Sequence, residues 1–95
     1  MIALKGEKQP GETMDYDVLY ADWFSTRSDM PVSVELVSVD TGITLFSITL
    51  NTTTKTVKII LTGGVVGVTY KITYSLTTSS GIVKEDEIVV KVKEY

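Results

Sequence analysis

The sequence predicts an all-β fold, a single antiparallel sandwich of about seven short strands. Three observations carry that reading. Thr, Val and Ile dominate the 95 residues, and their β-branched side chains suit the pleated surface of a sheet. Apolar and polar residues alternate along several stretches, the period of a strand with one wet face. Turn residues separate those stretches: Asp40-Thr41-Gly42, Asn51-Thr52-Thr53-Thr54-Lys55, Gly63-Gly64 with Gly67, and Ser79-Ser80-Gly81.

In chain order, residues 1–12 read as an extended N-terminal segment, exposed from Lys5 to Gly11, and residues 13–95 as the sandwich domain. Asp15 to Tyr20 supplies a strand. Ala21-Asp22-Trp23-Phe24-Ser25 then makes at most one helical turn, which tucks Trp23 into the core. Thr26 to Pro31 is polar and reads as a surface loop. Val32-Ser33-Val34-Glu35-Leu36 alternates. Phe46, Ile48 and Leu50 share the inner face of the following strand, with Leu45 on the outer one. Val57, Ile59 and Leu61 form the next inner face. Tyr70, Ile72, Tyr74 and Leu76 give the cleanest alternation, and Ile88, Val90 and Val92 close the chain. Strands this short at this spacing fit an immunoglobulin-like sandwich without its disulfide.

The inventory excludes much chemistry. There is no cysteine and no histidine, so a thiol nucleophile, an imidazole base and the usual structural zinc ligands are all missing. No enzymatic activity, metal or cofactor is therefore expected. A net charge of −3 lacks the basic surplus that draws nucleic acid or anionic lipid. The start, Met1-Ile2-Ala3-Leu4-Lys5, is too short an apolar run for a secretory signal. No stretch approaches a membrane span of about 20 residues. The chain reads as soluble, made inside the cell and complete as it stands.

Each candidate site has a plain alternative. Glu12, Asp15, Asp17 and Asp22 are acidic, but they lack the loop spacing of a calcium site and read as a solvated or ion-paired edge. Glu85-Asp86-Glu87 reads as a solvated hairpin flank that discourages edge pairing. Gly63-Gly64-Val65-Val66-Gly67 has no helix or Lys-Ser/Thr after it, so it is a turn and no phosphate loop. Tyr70 and Tyr74 read as core or corner residues, whereas Tyr20 and Phe24 are free to face a partner. Leu45, Ile60, Val65, Val66, Val68 and Val89 fall on outer faces or turns, which is much apolar material for a small monomer to expose.

The order of residues resembles the small fibre–tail adaptor proteins of tailed bacteriophages and prophages. Lys8-Gln9-Pro10, Glu12, Asp15-Tyr16-Asp17 and Asp22-Trp23-Phe24 carry the first half of the likeness. Leu61-Thr62-Gly63-Gly64-Val65-Val66-Gly67-Val68-Thr69-Tyr70, then Leu76-Thr77-Thr78-Ser79-Ser80-Gly81 and the strand Ile88 to Val92, carry the second. The chain departs from the pattern in its extra start, Met1 to Leu4, which reads as an added edge strand. It departs again at Ile82-Val83, where relatives place Arg after the glycine. The resemblance implies a non-enzymatic virion protein, immunoglobulin-like, present in several copies at the tail, neck or fibre attachment site. Its partners would be other tail, neck or fibre proteins. Met1, Ile2, Leu4, Tyr20, Phe24, Val65, Val66 and Tyr95 are the expected contact residues, with the edge from Lys91 to Tyr95. The rival reading is an immunoglobulin-like carbohydrate- or cell-surface-binding module, which needs an exposed aromatic platform.

Overall fold

Alternation gives each strand one apolar face, and two sheets bury those faces against each other. In a computed structural model, which describes residues 2–94, the chain runs β1 (Ile2–Lys8), β2 (Thr13–Leu19), α1 (Ala21–Phe24), β3 (Pro31–Val39), β4 (Ile43–Asn51), β5 (Thr56–Gly63), β6 (Thr69–Thr78) and β7 (Val83–Val92). One sheet has the order β1-β7-β6-β3 and the other β2-β5-β4. Every neighbouring pair is antiparallel except β1, which runs parallel to β7.

The sandwich core follows the alternation closely on three strands. Val57, Ile59 and Leu61 of β5, Tyr70, Ile72, Tyr74 and Leu76 of β6, and Ile88, Val90 and Val92 of β7 are all buried. Each fully buried aliphatic side chain contributes about 1.5–3 kcal/mol. Tyr16 and Val18 of β2 and Ile43 of β4 close the core from the second sheet.

On β4 the phase differs from the expectation. The register skips between Leu45 and Ser47, which pair with Leu61 and Ile60 respectively. One extra residue in a strand exchanges its two faces. Leu45 therefore packs on the core with Ile48 and Leu50, and Phe46 is left 70% exposed. β3 has two such skips, between Pro31 and Ser33 and between Leu36 and Ser38. They leave Val32 and Val37 exposed in the same way.

Three further expectations are corrected. Phe24 is the buried residue of α1, whereas Trp23 is half-buried against the core. A helix of four residues with no side-chain cap is too short to stand alone, so burial of Phe24 holds it. Lys5 to Lys8 belong to β1 rather than to an exposed stretch, and Lys8 is only 1% exposed. β1 also covers β7, so Lys91 and Val92 lie inside the sheet and not on its edge.

The bulge makes a prediction about neighbouring residues. Leu45→Ala should destabilise the fold by more than about 1 kcal/mol. Phe46→Ser should stay within about 0.5 kcal/mol of the parent in urea unfolding. The reverse ranking would mean that the alternation runs unbroken through β4.

Candidate functional site

The chemistry-bearing side chains gather at the two ends of the sandwich. At the end formed by the β6–β7 turn, β7 directs Lys84 and Asp86 inward, in phase with Ile88 and Val90. Asp86 is 2% exposed, which corrects its reading as a solvated flank. A buried carboxylate needs donors. The Tyr20 hydroxyl donates to Asp86 Oδ2 at 2.6 Å and lies 2.6 Å from the Tyr74 hydroxyl. With its proton turned to the carboxylate, Tyr20 accepts from Tyr74. Lys84 Nζ stands 3.3 Å from Oδ1 as an ion pair, although Oδ1 accepts no hydrogen bond.

Trp23 roofs this cluster. Its ring lies 5.5 Å from Lys84 Nζ on one approach and 4.1 Å from the Arg27 guanidinium on the other, and Phe24 meets it edge-on at 4.8 Å. Burial, reinforced by the Asp86 hydrogen bond, raises the pKa of Tyr20 far above its ordinary value. Burial likewise pushes Tyr74 up to about 12. The donors and acceptors are turned on one another, so the cluster locks the end of β2 to the opposite sheet. Nearby, Asp29 accepts from the Ser79 and Ser80 hydroxyls at 2.6 and 2.7 Å. Those bonds hold its carboxyl well below the usual range and clamp the loop before β3 to the β6–β7 turn.

The other end explains the glycine pattern. Gly64 has φ +101, and a Cβ there would sit 2.6 Å from Val92. The turn can then bring the Val65 N–H to the Tyr70 hydroxyl at 2.9 Å and the Gly67 N–H to the Val92 carbonyl at 2.8 Å. Lys8 reaches the same corner from β1, donating to the carbonyls of Gly63 at 2.7 Å and Gln9 at 2.6 Å. Burial lowers its pKa, with Glu12 opposing that effect. Glu12 in turn accepts from the Gln9 N–H at 2.7 Å. Lys8-Gln9-Pro10 and the Gly-Gly turn, far apart in sequence, thus meet at one corner.

The expected contact residues do not form one patch. Met1 and Tyr95 lie outside the described residues. Ile2 is 47% exposed, and Val65 and Val66 are also exposed. Ile2 pairs with Glu87, however, whereas the Val65 turn bonds to Val92 at the far end of β7. Leu4 is half-buried on the core. Tyr20 and Phe24 are withdrawn as contact residues, because the network and the core leave them 4% and 3% exposed. The acidic residues do not converge: Asp15 and Asp17 flank Lys58 at 3.5 and 3.9 Å, while Glu12 is held in its turn. Among the described residues no group of three acids is placed to hold a metal, and no helix is long and apolar enough to cross a membrane.

Sequence reasoning missed two sets of exposed apolar residues. Met30, Ile82 and Val83 are exposed around the β6–β7 turn, opposite the exposed Val65, Val66 and Val68 at the start of β6. The edge strands β3 and β4, one in each sheet, expose Val32 and Val37, and Phe46, respectively. The Ile82-Val83 departure was a visible signal for the first set. The second depends on bulges that alternation cannot announce.

Two measurements check these ends. Gly64→Ala meets both a positive φ and the Val92 contact, whereas Gly67→Ala has a positive φ but open space. Gly67→Ala should cost about 1 kcal/mol and Gly64→Ala about 1–3 kcal/mol more in chemical unfolding. The tyrosines predict an alkaline limit. Up to pH 10 both folded and unfolded forms keep them neutral; above it only the unfolded chain ionises, so stability falls as pH rises toward about 12. Lys8 acts in the opposite sense, since its charged form is the one burial disfavours. The melting temperature should drop over that window. Replacing both Tyr20 and Tyr74 by Phe should flatten the drop while lowering stability at neutral pH by about 1–3 kcal/mol.

No curated protein matches the chain at a significant level. The family model of podophage GP4 fiber-tail adaptor protein gp77 does match, over residues 8–91, from the buried Lys8 of the glycine corner to Lys91 of β7, and the chain belongs to that family.

Proposed function

We propose that the chain is a non-enzymatic structural protein of a phage virion, an adaptor at the tail, neck or fibre attachment site. An adaptor must hold two neighbours at once, and the observation that carries the reading is the position of two exposed apolar groups. Val65, Val66 and Val68 lie at one end of β6, and Met30, Ile82 and Val83 at the other. The molecule as a whole is 43 Å long and about half as wide. In this reading one end grips the tail and the other the fibre, through apolar side chains presented by well-anchored turns. The Tyr70 and Lys8 bonds anchor the first end, and Asp29 and the Asp86 network anchor the second.

The immunoglobulin-like form of the sandwich is part of the proposal. β2-β5-β4 facing β3-β6-β7 follows the B-E-D and C-F-G sheets of such domains, with the first strand carried on the other sheet. Tyr70, near the start of the sixth strand and bonded to the backbone five residues upstream, supports it as a tyrosine corner does. Among the described residues the rings do not support the carbohydrate-binding rival. Tyr16, Tyr20, Phe24, Tyr70 and Tyr74 are buried, Trp23 is half-buried against the core, and Phe46 stands on an edge strand.

Pull-down with purified tail and fibre proteins tests the reading. Val65→Asp with Val66→Asp should remove one partner and leave the other. Ile82→Asp with Val83→Asp should do the converse. Unchanged binding of both partners in both variants would contradict the two-ended arrangement.

A further inference from the structure

We infer that the outer face of the β1-β7-β6-β3 sheet docks a second copy of this chain, face to face with strand directions reversed. The contact is separate from the two apolar ends and goes beyond the adaptor reading, because it needs this chain alone. Register places the residues concerned on one face. β7 turns Asp86, Ile88 and Val90 into the core, so Glu85, Glu87, Val89 and Lys91 point outward. Directly opposed residues of paired strands share a face. β6 therefore sets Lys71 beside Val89 on one side, and β1 sets Lys5 beside Val89 on the other. Glu35 of β3 lies opposite Ser75, which in turn lies opposite Glu85.

Charge is divided along this face. The half toward the β6–β7 turn carries Glu35, Glu85 and Glu87, and the half toward the glycine corner carries Lys5, Lys71 and Lys91. Two acids also stand in the lysine half, and both are engaged within the chain. Glu7 pairs with Lys93, and Asp40 accepts from the Lys71 N–H at 2.9 Å. Lys71 reaches Glu87 at 3.6 Å across the division. Among the described residues, Lys5, Lys91, Glu35 and Glu85 make no ion pair within the chain.

The division makes the face its own complement. Glu85 and Lys91 lie three residues either side of Ile88. A two-fold axis between the faces, across the strands at the level of Ile88, brings Glu85 onto Lys91 of the second copy. The same axis brings Glu87 over Val89 of the second copy, between the Lys5 and Lys71 that flank it. Two-fold symmetry repeats both contacts. With strands running the same way, each half would meet its own sign, an arrangement that like charges disfavour. An unlike partner requires only one of these halves, whereas a second copy requires both, at matching distances. A shallow groove in the lysine half, lined by Lys5, Gly6, Glu7, Thr69, Val89 and Lys91, gives an incoming carboxylate a place between two ammonium groups. Surface ion pairs are screened by salt, so this contact is salt-sensitive.

Size-exclusion chromatography with light scattering at low salt, on the full chain over a wide concentration range, tests the inference. The expected mass is twice 10.4 kDa, falling to the single-chain value at about 1 M salt, where the screening length is about 3 Å. Lys91→Glu and Glu85→Lys should each be monomeric, with circular dichroism unchanged. An equimolar mixture of the two should regain the doubled mass, as should the chain carrying both changes. Lys55→Glu, an equal change of charge in the β4–β5 turn, should leave the dimer intact. A parent chain that stays monomeric at every concentration overturns the inference, as does a Lys91→Glu variant that stays dimeric or a mixture that stays monomeric. A monomeric parent whose Lys91→Glu variant loses a tail or fibre protein assigns the face to that protein, which overturns the second-copy contact and leaves the adaptor reading standing. A dimer that behaves as expected but binds neither tail nor fibre protein supports the contact and counts against the adaptor reading alone.

Discussion

The side-chain phase of each strand governs this molecule. A strand has two faces, and one extra residue exchanges them. Where the phase runs unbroken, as on β5, β6 and β7, every second residue is buried and the chain of 95 residues gains a continuous core without a disulfide. Where it slips, on β3 and β4, apolar side chains are turned out to solvent.

Polar locks at the two ends complete what the core begins. A small sandwich buries a modest fraction of its surface, and its strand ends are where fraying starts. Lys8 on the Gly63 and Gln9 carbonyls and Tyr70 on the Val65 N–H secure one end. The Tyr20–Tyr74–Asp86 network secures the other. The Lys8–Gly63 bond and the Tyr20 bonds to Tyr74 and Asp86 connect segments 54 to 66 residues apart, which makes them register pins between the sheets. Exposed apolar turns can then be displayed without loosening, because their backbones are fixed from within.

Much of the fold was legible in the sequence. The inner faces of β5, β6 and β7 are legible in the alternation and the turns between them in their glycine-, Asn- and Ser-bearing segments, and one short helical turn at Trp23 is expected as well. The Lys8-Gln9-Pro10 and Gly63-Gly64 patterns pointed to the family. Other features were not legible, for identifiable reasons. Phe46 and Leu45 exchange places because a bulge depends on the partner strand's register, which one strand's pattern does not contain. Asp86 looked solvated because its donors, Tyr20 and Tyr74, come from distant segments. Tyr20 and Phe24 were taken for contact residues because a single helical turn has no period to show its buried side. The end of β7 looked like an edge because parallel pairing with β1 leaves no hairpin signal.

The proposal's central claim is that contact in the particle uses the two apolar ends, while the charged β1–β2 side stays wet. Side-chain oxidative footprinting of the chain, free and within purified particles, tests this most directly. The account predicts protection at Val65 and Val66 and at Met30 and Val83, with Ile2 and Met14 labelled equally in both states. Protection confined to Ile2 and Met14, with Val66 and Met30 labelled as in the free chain, would contradict it.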